Sequence, residues 1–146
     1  MMNISTRKTI RKYTQQPIPD ELLNRLLEEA SRTQTMGNLQ LYSVVVTRSQ
    51  EGKSALAPFH FHQPMVTNAP VVLTICADFR RVTDWCECRR AIPGYDNLLS
   101  FMNAATDALL YTQTFCNLAE EEGLGICYLG TTLYSSAQII IEVDTA

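Results

Sequence analysis

A chain of 146 residues, 46% hydrophobic and 18% charged, has the length and apolar content of one globular domain with a real core. Its net charge of -3 and pI of about 5.3 argue against bulk binding to nucleic acid or to an anionic membrane. No run reaches the ~20 apolar residues of a membrane helix, and the polar N-terminus lacks the apolar core of a secretory signal, so we expect a cytoplasmic protein.

Asn3 to Thr6 reads as a short helical turn. Arg7-Lys8-Thr9-Ile10-Arg11-Lys12-Tyr13 then packs four cations and a hydroxyl around one isoleucine. If extended, this stretch puts Arg7, Thr9 and Arg11 on one face, roughly 6–7 Å apart, and turns Ile10 toward a core. Two guanidinium forks flanking a hydroxyl suit a phosphate monoester, because Arg donates in a planar, bidentate geometry. A solvated basic arm is the plainer alternative, and the stretch alone does not decide between them.

Pro17-Ile18-Pro19-Asp20-Glu21 reads as a helix start, with proline and acidic residues in the first turn. Leu22, Leu23, Leu26, Leu27 and Ala30 follow at helical spacing, with an end predicted near Arg32. Thr33 to Gln40 is polar, contains Gly37 and Asn38, and reads as a loop, either a ligand contact or an ordinary turn. Ser43 to Thr47 predicts a buried β-branched strand. Glu51 to Ala57 predicts a short helix ended by Pro58. His60 and His62 alternate with Phe59 and Phe61 and read as loop or edge residues rather than ligands. Gln63 to Asn68 predicts another turn of helix.

Val71 to Ala77 predicts a strand covered on both faces. Arg81 to Arg90 predicts a helix anchored by Trp85, followed by a break over Ile92 to Tyr95. Trp85 and Tyr95 are candidates for core packing or for stacking on an aromatic substrate. The longest predicted helix is Asp96 to Glu122. Leu98, Met102, Ala105, Leu109, Thr112, Cys116 and Ala119 form one apolar line on it, and Phe101, Ala108 and Phe115 a second. So wide an apolar surface belongs in an interior or at a subunit interface. Asp107, the lone charge in that run, reads either as reaching a polar interface or, more plainly, as a solvent-facing sliver. Gly123 stops the helix, Leu124 to Leu129 predicts a third strand, and Ser135 or Ser136 caps a last helix carrying Ile139, Ile140, Ile141 and Val143.

Gly123-Leu124-Gly125 follows a helix and lacks the spacing of a dinucleotide fingerprint. A nucleoside-triphosphate P-loop sequence does not occur. The five cysteines (76, 86, 88, 116, 127) read as reduced thiols. Cys86-Glu87-Cys88 has the wrong spacing for a zinc knuckle, so we expect no metal. No Ser/His/Asp or Cys/His triad is visible.

Five stretches now stand together: RKTIRKY at 7–13, PIPDELLNRLLEEASRTQTMGNLQ at 17–40, NAPVVLTICADFRR at 68–81, DALLYTQTFCNLAEEEGLGICYLG at 107–130, and the closing SSAQIIIEV. In this order they resemble the FMN-dependent nitroreductase and flavin reductase family. The CADF segment and CYLG turn look most like its oxygen-insensitive, NADPH-using branch. The resemblance implies an α+β fold with a central mixed sheet flanked by helices, binding FMN at a homodimer interface. It implies that Arg7, Lys8, Thr9 and Arg11 hold the FMN phosphate and part of the flavin edge. Thr35 and Asn38 match the loop that reaches the cofactor from the other subunit. Gln63 matches a polar residue beside the isoalloxazine. Tyr128, Leu129, Gly130 and Thr131 match a strand end whose backbone N–H groups address the flavin, so the side chains there can be apolar.

The implied activity is hydride transfer from NADPH or NADH through flavin N5 to a nitroaromatic, quinone or flavin acceptor. No catalytic side chain is required, because the cofactor carries the chemistry. The same resemblance leads us to expect further strands, a subunit-wrapping tail and a late basic residue beyond the IIIEV stretch. Residues 1–146 are therefore expected to be a single, C-terminally short domain. The alternative function is a flavin-binding remnant without turnover.

Overall fold

The computed structural model describes residues 4–94 and 97–144. Its elements are α1 (Asp20–Ala30), β1 (Tyr42–Thr47), α2 (Gln50–Leu56), α3 (Pro64–Asn68), β2 (Val72–Ala77), α4 (Arg80–Cys88), α5 (Leu98–Glu121) and α6 (Ser136–Asp144). Short 3-10 turns lie at Ile4–Thr6, Met36–Asn38, Ala57–His60 and Gly130–Tyr134. The expected helix start at Asp96 and the proposed stacking role of Tyr95 fall outside the described residues.

α1 starts behind Pro19, with Asp20 and Glu21 complementing its dipole. Leu23, Leu26 and Ala30 recur on one face and are buried. Each fully buried leucine stabilises the fold by about 1.5–3 kcal/mol. The partner surface is α5, whose buried face carries Ala104, Ala108, Tyr111, Phe115 and Ala119. α5 is opened by Asn97, whose Oδ1 accepts from the N–H groups of Leu99 (3.0 Å) and Ser100 (3.2 Å). It ends at Gly123, where φ is 79°. There the Leu124 N–H returns to the Ala119 carbonyl at 2.9 Å. Glycine adopts this left-handed conformation without a Cβ penalty.

β1 and β2 pair antiparallel, from Tyr42 opposite Ala77 to Thr47 opposite Val72. Tyr42 stacks on Tyr111 with ring centres 4.3 Å apart, a contact worth about 0.5–1.5 kcal/mol beyond its area. A second, smaller core gathers Leu56, Ala57, Val66, Ala69, Val72 and Ile139, with Tyr13, Phe59 and Leu129 packed against it. Buried Lys53 ties α2 to the end of α3, its Nζ donating to the Ala69 carbonyl at 2.9 Å.

The α+β class is the one read from the sequence, but several details differ. Among the described residues the sheet has two antiparallel strands rather than a mixed set. The predicted strand Leu124 to Leu129 forms no ladder. Its neighbour is the N-terminal arm, which offers one backbone bond, from the Ile10 N–H to the Ile126 carbonyl at 3.0 Å. β2 packs on α5 by one face, and Leu73 to Cys76 are only half-buried rather than covered on both sides. Trp85 is no anchor: it is 59% exposed, with the Arg89 guanidinium 5.8 Å above its ring. Asp107 faces no solvent at all, being fully buried. No helix among the described residues is long and apolar enough to cross a membrane.

Candidate functional site

The basic arm is held by its isoleucine. Ile10 is half-buried over Gly125, where an added Cβ would meet the Ile10 Cγ2 at 2.7 Å and its Cβ at 2.8 Å. Only glycine lets the two backbones approach this closely. Arg7, Thr9 and Arg11 are exposed, as expected of the face opposite Ile10, and Lys8 is exposed as well. Their side chains are not equivalent. Arg7 Nε donates to Glu120 Oε2 on α5 at 3.0 Å, so this cation already has a partner. Lys8, Thr9 and Arg11 make no hydrogen bond or ion pair among the described residues.

Tyr13 closes the arm, its hydroxyl donating to the Ile10 carbonyl at 2.9 Å. Burial, helped by nearby Cys127, raises its phenol pKa, and Arg11 opposes the rise. An open cleft of about 300 Å³ runs along the arm between Arg7, Lys8, Glu120, Gly123 and Gly125.

The turn at 128–131 lies on the second core. Leu129 packs into that core, and its carbonyl accepts from the Thr132 N–H (3.3 Å) and hydroxyl (2.8 Å). Gly130 faces open space. The N–H groups of Tyr128, Leu129 and Gly130 have no acceptor among the described residues. Tyr128 lays its ring toward α5, its hydroxyl 3.4 Å from Gln113 Oε1. Burial and a hydrogen bond with Cys116 push its pKa upward.

Thr131 Oγ1 is 2.7 Å from His60 Nδ1. His60 is 4% exposed, and burial lowers its pKa, keeping the ring neutral at pH 7. Phe61 (φ 54°) and His62 (φ 53°) then turn the chain through two left-handed residues, at about 1–3 kcal/mol each. They deliver Gln63, half-buried at the N-cap of α3. The Gln63 side chain makes no hydrogen bond among the described residues.

The Thr35–Gln40 loop belongs to the other core. Gly37, Asn38 and Gln40 all have φ between 52° and 58°. Asp107 holds this loop from α5: its Oδ1 accepts from the Met36 N–H at 3.3 Å and its Oδ2 from the Leu41 N–H at 3.1 Å. Thr35 Oγ1 accepts from the Gln40 N–H at 3.3 Å, while Asn38 is exposed. No hydrogen bond or ion pair among the described residues joins this loop to the arm or to the Gly130 turn. Tyr13 and Leu129 pack on the second core, and buried His60 ties Thr131 to it, whereas Thr35 and Asn38 lie on the loop that Asp107 holds from α5.

Sequence reasoning missed the two residues that make these ties. For Asp107 the signal was there: a single charge at the spacing of Ala104, Ala108 and Tyr111, all buried on α5. For His60 there was none, since its partner lies 71 residues away. Among the described residues, no group of three or more His, Cys, Asp or Glu could hold a metal.

The model of the nitroreductase family matches residues 4–145. A solved structure from Bacteroides fragilis is similar over 97% of this chain and 57% of its own, at 61% identity and a TM-score of 0.95. The NADPH:FMN oxidoreductase of Vibrio harveyi, solved with NAD+, is similar over 94% of this chain and 58% of its own, at 27% identity and a TM-score of 0.86. The FMN reductase [NAD(P)H] of Bacillus subtilis is 28% identical over 142 residues, 94% of this chain and 56% of that relative. The chain therefore spans little more than half the length of these relatives.

Proposed function

The chain belongs to the nitroreductase family, and from that premise we propose that it is one nitroreductase-like domain of an FMN-dependent NAD(P)H oxidoreductase. The observation that carries the reading is the exposed run of unpartnered N–H groups at Tyr128, Leu129 and Gly130, beside an arm with uncommitted cations. Exposed backbone donors of this kind are open to water or to a ligand. Three in a row suit the carbonyl and nitrogen edge of a flavin.

The donor set fits FMN. Arg11 and Lys8 would hold its phosphate, with Thr9 adding a hydroxyl. Arg7 would join only by sharing itself with Glu120. Gln63 and Thr131 would flank the ring. Thr35 and Asn38, on the loop that Asp107 holds, would complete the site of a second copy. Bound FMN supplies an N5 that takes hydride from NAD(P)H and returns electrons to a nitroaromatic, quinone or flavin acceptor. The protein's part is positioning and electrostatics: donors near the flavin edge favour its reduced, more anionic form.

A homodimer is part of the proposal. Leu98, Leu99, Phe101, Met102 and Leu109 on α5 are each more than half exposed. Their apolar surface is what a second copy would cover.

Purified protein incubated with excess FMN is expected to retain a flavin absorbance that NADPH bleaches anaerobically. Retention without bleaching would favour a flavin-binding remnant, and no retention would end the flavin reading. Arg11→Ala should weaken FMN retention more than Lys12→Ala, and equal retention would remove Arg11 from the phosphate site.

A further inference from the structure

His60 makes two bonds that reach both sides of the proposed flavin wall. Its carbonyl accepts from the Gln63 N–H at 3.1 Å. Its Nδ1 meets Thr131 Oγ1 at 2.7 Å, across a separation of 71 residues. Between His60 and Gln63 stand two successive left-handed residues, neither of them glycine. Such a conformation persists only where its surroundings over-determine it. The surroundings here are the His62 N–H on the Ala57 carbonyl at 2.8 Å and the imidazole itself, packed to 4% exposure. A neutral ring brings one donor and one acceptor. A histidine serving only the core could place its N–H on a nearby carbonyl. This one bonds a hydroxyl on the turn that carries the free N–H groups.

We propose that His60 is a positioning residue that holds Gln63 and the Gly130–Thr131 turn in register as one wall for the flavin edge, an inference that rests on the function proposed above. His60 acts through Gln63 and Thr131. Losing the imidazole frees the turn at Thr131 and relaxes the left-handed pair that presents Gln63, so both contacts loosen together.

The test reads the protein with and without FMN. In flavin-free, 15N-labelled protein, hydrogen exchange is followed at the Gln63 amide and at the Thr132 amide, which bonds the Leu129 carbonyl at 3.3 Å. His60→Leu should speed both at least tenfold and raise the FMN dissociation constant about tenfold. Thr131→Val, nearly isosteric and in a half-buried place, should speed Gln63 exchange as well, although it lies 68 residues away in sequence (131 − 63). His60→Asn, whose amide can reach the Nδ1 position, should bring exchange and affinity back to within about threefold of wild type. The double variant His60→Leu/Thr131→Val should lose no more than the worse single one. Unchanged Gln63 exchange in Thr131→Val overturns the brace. Accelerated exchange with wild-type FMN affinity in both single variants overturns its role in binding. Wild-type protein that takes up no FMN would refute the functional reading itself, and the exchange measurements alone would then decide the brace.

Discussion

Replacing Asp107 is the most direct test of how the Thr35–Gln40 loop is held. Its carboxylate is fully buried and makes two hydrogen bonds, to the N–H groups of Met36 and Leu41 at 3.3 and 3.1 Å. Asp107→Asn keeps the shape but turns one oxygen into an NH2 group facing a backbone N–H. One charge-assisted bond, worth about 1.5–3 kcal/mol, becomes a clash of donors. Burying a neutral amide costs less than burying a carboxylate, which offsets part of the loss. The net expectation is a destabilisation of about 2 kcal/mol. Asp107→Leu removes both acceptors and leaves two N–H groups with nothing to bond, at about 1–3 kcal/mol each, so roughly 2–6 kcal/mol. Urea unfolding followed by circular dichroism measures this. With a slope of about 2 kcal/mol per molar, the Asn variant should shift the midpoint down by ~1 M and the Leu variant by ~1–3 M. A Leu variant within about 0.5 kcal/mol of wild type would refute the argument, because the loop would then have another anchor.

Gly125→Ala should evict the arm, since the new Cβ would stand 2.7 Å from Ile10. Moving the arm relieves the contact more easily than moving the core. FMN affinity should therefore fall at least tenfold with little change in melting temperature, and Ile10→Ala in the same chain should recover part of the affinity; unaltered affinity would show that the arm is not part of the site. Glu120→Gln should free Arg7 and tighten FMN about two- to fivefold, the equivalent of a partly exposed ion pair of ~0.5–1 kcal/mol. Equal dissociation constants by fluorescence titration would mean Arg7 faces away from the phosphate. Tyr111 carries a pKa pushed up to about 12 by burial and by Tyr42. Its unfolded value is 10.0, so the stability it contributes is complete below pH 10 and is lost as pH rises toward 12. Absorbance at 295 nm should show this phenol ionising only with unfolding, and Tyr111→Phe should flatten that part of the stability profile.

Periodic signals were legible, and relational ones were not. α1 and α5 were readable because Leu23, Leu26 and Ala30, or Ala104, Ala108 and Tyr111, recur at the spacing of one helix face. Gly123 was readable because a helix stop needs a residue free to take positive φ. The Leu124–Leu129 segment has strand composition, but among the described residues the arm gives its backbone one bond, from Ile10 to Ile126, and propensity alone does not make a ladder. A large ring at helical spacing predicts an anchor at Trp85, yet α4 buries none of its residues. Asp107 was misjudged because charge was weighed against exposure, when two amides from another segment satisfy it. The basic arm is a phosphate candidate by its own alternation, and resemblance supplies its role and that of the Gly130 turn. What the residues alone could not foretell is that Glu120 takes Arg7.

α5 completes one side within a single chain and leaves the other bare. Folding of the α1–α5 core is thus unimolecular, whereas covering Leu98–Met102 and Leu109 obeys mass action. The two events separate on dilution. In the proposed homodimer, a binding wall contributed by a partner would exist only in the paired fraction, and the apparent affinity for any ligand between the walls would be reduced by that fraction. Cofactor retention should therefore depend on protein concentration: nanomolar chains would shed a ligand that micromolar chains keep, with every intrachain contact intact.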